Sequence, residues 1–203
     1  MTTMSKPLLS DTKFAEQHTA AKEFVTSYNP RTDAVTDEGN IPMQFWLYGK
    51  PDDPKAKWKL IQLVISQWTE EMANNKEKIF YQTGVSFARK FPHYTLVNIT
   101  QIAEGWAMQL DKDSPEEDKY VRPSQAVDRQ ELMVISTQAV DSRISMCTMN
   151  VRRNRDGEFE GYSLKDDIVY DPKQSGNTYD MQNAMVPPIY EGFASVRFKK
   201  EEP

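Results

Sequence analysis

Residues 131–164 read ELMVISTQAVDSRISMCTMNVRRNRDGEFEGYSL, and this stretch decides the fold class. Leu132 to Val140 and Ile144 to Val151 are runs of apolar and β-branched side chains, joined by the turn formers Asp141-Ser142-Arg143. Asn154-Arg155-Asp156-Gly157 turns the chain again, with glycine where a positive φ is needed, and Phe159 to Leu164 returns as a third run. The spacing predicts a three-strand antiparallel meander over 131–163. Leu132, Met133, Val134 and Ile135 are apolar on both faces, so the first of these strands is expected to be central.

Upstream, period two continues back to Pro92. Tyr94 to Ile102 reads as a strand, Glu104-Gly105 as a bulge or turn, and Trp106, Met108 and Leu110 alternate with polar or small residues. Before Pro92 the grammar is helical. Residues 77–90 carry Phe80, Phe87 and Ala88, with Gly84 costing about 1 kcal/mol against alanine. Asp53-Pro54 combines a capping side chain with a first-turn proline. Trp58, Ile61, Val64, Trp68 and Met72 follow at helical spacing, which predicts a helix over 54–73 with that stripe buried. Phe14, His18, Ala21, Phe24, Val25 and Tyr28 predict an earlier helix, capped by Asp11 and stopped at Asn29-Pro30. Between these helices, Met43, Phe45 and Leu47 alternate with Gln44, Trp46 and Tyr48 in a short strand. Downstream, 165–186 is polar loop, and alternation after Pro187-Pro188 predicts a last strand from Phe193 to Lys199.

Helices followed by strands imply an α+β fold, with N-terminal helices packed on one face of a mostly antiparallel sheet. The expected division is a polar N-terminal arm over 1–12 and a single α+β domain over 13–203, helical over 13–91 and β-rich over 92–203. A chain of 203 residues is long enough for a real core. Yet only 38% of it is hydrophobic and the mean hydropathy is −0.70, so part of it is expected to be arm, loop or contact surface.

The net charge of −5 argues against a broad phosphate-binding face. One cysteine, Cys147, excludes an internal disulfide, and with only His18 and His93 beside it a Cys/His zinc site is not expected. No apolar run approaches the ~20 residues of a spanning helix, and the N-terminus lacks a signal-peptide core. A soluble, intracellular, cytoplasmic protein without cofactor or metal is the expectation.

Each chemical signal has a bland counterpart. Asp111, Asp113, Glu116, Glu117 and Asp118 put carboxylates in one loop, but without calcium-loop spacing they read as a solvated charge run. Glu104 beside Trp106 could be a carboxyl with a raised pKa, or a glutamate at a bend. Cys147 within a strand reads as a small buried hydrophobe. Arg152, Arg153 and Arg155 make a basic hairpin tip that could touch nucleic acid or simply keep an edge soluble. Pro187-Pro188-Ile189-Tyr190 matches the short motif bound by WW domains, with Pro187, Pro188 and Tyr190 as its determinants, or a rigid lead-in to the last strand.

No catalytic residue can be assigned, and the expected role is a non-enzymatic accessory or structural subunit acting by protein–protein association. The expected partner is another protein or a second copy, not nucleic acid or membrane. Met43, Phe45, Trp46, Leu47 and Tyr48 are the interface candidates, because one core covers one face of a short strand and leaves the other. The alternatives are a small enzyme with Glu104, His93 and Asp111 near the sheet, and a nucleic-acid-associated protein using the arginine tip.

Overall fold

A computed structural model describes residues 8–33, 40–107, 130–170 and 185–198. Its frame is a six-stranded antiparallel sheet: β1 (Met43–Pro51), β2 (Lys59–Ile65), β3 (Tyr94–Ala107), β4 (Gln130–Ala139), β5 (Ile144–Arg153) and β6 (Phe159–Tyr170). The strand order is β2-β1-β3-β4-β5-β6. The meander is present as β4, β5 and β6, and β4 is interior, between β3 and β5. Its two turns sit at the expected residues, with positive φ at Ser142 (71°) and Gly157 (84°). Glu104-Gly105 does not break the chain: β3 runs through it, pairing Glu104 with Met133 and Gly105 with Leu132.

The helices are α1 (Asp11–Ser27), α2 (Pro30–Asp33), α3 (Glu70–Asn74), α4 (Lys76–Lys90) and α5 (Val186–Arg197). Ser10 rather than Asp11 caps α1, its Oγ accepting from the Lys13 amide at 3.2 Å. Phe14, His18, Ala21 and Val25 are buried as their spacing predicts, joined by Gln17.

The α+β class holds, with the helices divided between both sheet faces. On one face α1 lays Ala21 and Val25 against Trp46, Tyr48, Ile102, Met133 and Ile135. A buried polar strip continues the contact. Asn98 Nδ2 donates to Gln17 Oε1 at 2.6 Å, and His18 Nδ1 lies 2.9 Å from Thr137 Oγ1, itself 2.9 Å from Thr100 Oγ1. On the opposite face α4 and α5 cover Phe45, Leu47, Leu96 and Ile99 with Phe80, Phe87, Ile189 and Phe193.

Two expected elements are replaced. Residues 54–73 are not one helix. Asp53 does cap, but only a single turn, with its Oδ1 accepting from the Lys55 amide at 2.9 Å. The chain then runs as β2, pairing residue for residue with β1 from Lys59–Gly49 to Ile65–Met43. Leu60-Ile61-Gln62-Leu63-Val64-Ile65 is a short, nearly continuous apolar run, which suits a strand apolar on both faces as well as a helix, and hairpin hydrogen bonds decide for the strand. Trp58 and Trp68 are consequently 38% and 36% exposed, not core.

The expected last strand is α5. Pro187 and Pro188 stand in its first turn, where missing amides cost nothing. Two glycines explain why it packs as a helix. A Cβ at Gly84 would lie 1.9 Å from the Ile189 carbonyl oxygen, and one at Gly192 would lie 1.9 Å from that of Tyr81. The backbones of α4 and α5 cross in contact, which only glycine allows.

Candidate functional site

β1 and β2 leave one hairpin with equally apolar sequences but meet different surroundings. β1 has a strand on each side and a helical layer on each face. β2 has β1 on one side, and among the described residues no strand pairs with its other edge. On the α1 face its residues alternate as Leu60, Gln62 and Val64, and α1 does not reach over them: Leu60 is 43% and Val64 51% exposed. On the other face Ile61 and Leu63 are half-buried along a groove of about 860 Å³ between β2 and α4. Leu47, Met72, Ile79 and Phe87 complete its apolar floor, and Lys78, Gln82 and Lys90 stand around it. Trp58 and Trp68 flank the two ends of the strand. Trp58 lies under Lys13 Nζ at 5.8 Å, and Trp68 stacks on Phe80 at 6.2 Å.

An edge strand with free amides and carbonyls, apolar on both faces, is a template for another strand. Native sheets usually blunt such an edge with charge, proline or a bulge. β2 carries only Lys59, at its start, and no proline. The signal was present in the sequence as the short apolar run from Leu60 to Ile65, masked by a competing helical stripe.

A second cluster lies on the α1 face, at the far end of β3. Tyr162 Oη donates to Glu104 Oε1 at 2.5 Å, and Asn40 Nδ2 donates to Oε2 at 2.7 Å. The Ile41 amide donates to Tyr162 Oη at 3.1 Å. Burial holds the Glu104 carboxyl above its ordinary range, against the lowering effect of those two hydrogen bonds; Glu131 raises it further and Arg153 lowers it. Burial first, then the hydrogen bond and charge of Glu104, push the Tyr162 phenol far above its ordinary value. Both Glu104 oxygens are engaged by these partners, so the cluster acts as a clamp that holds residues 40–41, leading into β1, against β6. The groove lies on the opposite face of the sheet, away from this carboxyl.

The remaining sequence candidates are not brought together. Met43, Phe45, Trp46, Leu47 and Tyr48 form the interior strand β1. Trp46 is 5% exposed, its ring 5.3 Å from Phe24 and its Nε1 donating to Gln44 Oε1 at 2.8 Å. These five residues face their own chain on both sides, because α1 covers one face and α4 with α5 the other. Phe45, Trp46, Leu47 and Tyr48 are buried within their own chain and Met43 is half-buried, so they are core rather than the exposed patch expected. The Pro187-Pro188-Ile189-Tyr190 motif is helical rather than extended, and Tyr190 Oη donates to the Gln138 carbonyl at 2.7 Å, so Pro187, Pro188 and Tyr190 are committed to the fold. Arg152, Arg153 and Arg155 are exposed at the β5–β6 turn, but Arg153 forms a two-bond pair with Glu131 (2.9 and 3.0 Å), and Asp156, Glu158 and Glu160 share the tip. Cys147 is buried in β5, and His93 is exposed at the corner between α4 and β3. The acidic loop over 111–118 and residues 1–7 of the arm expected over 1–12 lie outside the described residues, while Leu9 is buried and α1 begins at Asp11. No helix among the described residues is long and apolar enough to cross a membrane. No protein-family model matches the chain, and no curated protein or solved structure shows significant similarity to it.

Proposed function

We propose that this protein is an accessory or structural subunit that acts by protein–protein association, and that its contact surface is the outer edge of β2. The carrying observation is that β2 is unfinished on three sides. Its outer edge is unpaired among the described residues, its α1 face exposes Leu60 and Val64, and its other face opens on the groove beside α4. A partner strand added there would satisfy the backbone groups and cover the apolar side chains together, the combination by which added strands gain affinity and specificity.

The test is a pair of chains in native cell extract, wild type and the double variant Leu60→Glu/Val64→Glu. Both positions are largely exposed, so the variant should keep the wild-type circular dichroism spectrum, with stability changed by about 0.5 kcal/mol per site. Wild type should migrate in a complex well above the 23.5 kDa of the free chain, and the variant should migrate alone. Equal migration of the two chains would overturn the assignment.

A further inference from the structure

The sequence of β2 fits itself. When two copies of an edge strand pair antiparallel about a two-fold axis normal to the sheet, opposed side chains must lie on one face. The axis must therefore pass midway between the two copies of one residue, which then faces itself. Three positions near the centre of β2 can carry it. An axis at Ile61 sets Leu60 against Gln62 and Lys59 against Leu63. An axis at Leu63 sets Gln62 against Val64. Each opposes polar to apolar and leaves two of the seven residues unpaired. An axis at Gln62 uses all seven. It sets Leu60 against Val64 and Ile61 against Leu63, twice each, with Gln62 facing Gln62 across the axis. Only the end pair, Lys59 with Ile65, is mixed, and no charge opposes a like charge.

We infer that the partner on the β2 edge is a second copy of this chain, paired antiparallel about Gln62 to form one continuous sheet. This rests on the reading of β2 as the association surface and names its occupant. Three observations converge on it. The exposed pair Leu60 and Val64 is the pair this register brings together, so each copy covers the residues that the other copy's α1 leaves open. The opposed Gln62 amides can donate and accept across the axis, which favours a residue that meets its own copy. Ile61 and Leu63, half-buried along the groove, would pack on the partner's Leu63 and Ile61, continuing the apolar floor from one copy into the next. Directly opposed positions in such a pair have Cβ atoms about 4.5–5.5 Å apart, so the register makes a sharp geometric claim.

The experiment uses the purified full chain in two parts. First, Gln62→Cys is oxidised. Cys147 is buried, so the new thiol is the reactive one. The register brings the two thiols at position 62 together, and a covalent dimer should form with high yield. Leu60→Cys alone should not cross-link, because its two copies would sit about 13 Å apart, four strand residues at ~3.3 Å each. Leu60→Cys mixed with Val64→Cys should. Second, Leu60→Glu/Val64→Glu and Leu60→Lys/Val64→Lys are compared by light scattering. Each alone opposes like charges and should be monomeric. Their equimolar mixture opposes unlike charges and should recover the dimer mass.

A wild-type chain that stays monomeric at high micromolar concentration overturns the inference. So does a wild-type dimer in which Gln62→Cys fails to cross-link, or a mixture of the charge variants that stays monomeric. Because these measurements hold only purified chain, they are separable from the proposed function. If they fail while the extract complex still depends on Leu60 and Val64, association through β2 stands and the partner is a different protein.

Discussion

Strands β1 and β2 are neighbours in one hairpin, and both are rich in large apolar residues. Yet Phe45 and Leu47 are sealed in β1, while Leu60 and Val64 stand open in β2. Composition therefore does not decide which strand offers a surface; what packs beside it does. β1 sits between two strands and two helical layers, and its aromatic side chains are core on both faces. Among the described residues β2 sits at the sheet's end, beyond the reach of α1 and beside the groove under α4. The two differ in whether they are partnered, and that difference moves the proposed association surface from residues 43–48 to residues 59–65.

The largest expected effects fall on β1. Phe45→Ala or Trp46→Ala should cost about 3–5 kcal/mol, the usual range for fully buried aromatics. Trp68→Ala, at a partly exposed ring stacked on Phe80, should cost clearly less. Urea melts of the three variants would measure the contrast. A Trp68 loss equal to the Trp46 loss would break the comparison, because it would restore Trp68 to the core.

The roof over β1 gives the next effect. Alanine in an exposed helix gains about 1 kcal/mol over glycine. At Gly84 and Gly192 the added Cβ meets backbone at 1.9 Å, so α4 and α5 must separate. Net destabilisation of about 1–3 kcal/mol is expected for Gly84→Ala and for Gly192→Ala. A melt showing either variant more stable than wild type would refute the close crossing.

A smaller effect concerns the Glu104 clamp that holds the approach to β1. Its folded pKa is raised above the ordinary 4.5, chiefly by burial, so the folded state holds the proton more tightly than the unfolded chain. The contribution is full below pH 4.5 and is lost as pH rises through the folded value. Wild type should lose stability relative to Glu104→Gln as pH rises from 4.5 through that window. Parallel stability curves for the two proteins would show that Glu104 carries no raised pKa.

Much of this architecture was legible in the sequence because its signals were local and single-valued. The meander has two turns with residues suited to positive φ, and Leu132 to Ile135, apolar on both faces, mark an interior strand. α1 and α4 each show one clean period. The misread elements were those with two valid local readings. Leu60 to Ile65 is a short apolar run whose periodicity does not separate strand from helix, and only pairing with β1 does. Phe193 to Lys199 alternates by chance, while the helix there depends on Gly192 meeting Gly84's neighbours more than 100 residues away in the chain. Glu104 was visible as a candidate carboxyl, but its partners Asn40 and Tyr162 are 64 and 58 residues distant. The site itself was hidden for the same reason. Exposure of Leu60 and burial of Trp46 follow from which strand ends the sheet, and sheet order is a property of the whole chain.

Amide hydrogen exchange over residues 44–48 and 59–65 tests the central claim most directly, because it reads both strands in one sample. In dilute purified protein the amides of β1 should exchange slowly throughout. In β2 every second amide, the set pointing away from β1, should exchange fast. Raising the protein concentration or adding native extract should slow that fast set and leave β1 unchanged. Rates over 59–65 that stay the same at every concentration and in extract would contradict the account, since an edge that never gains a partner is not an association surface.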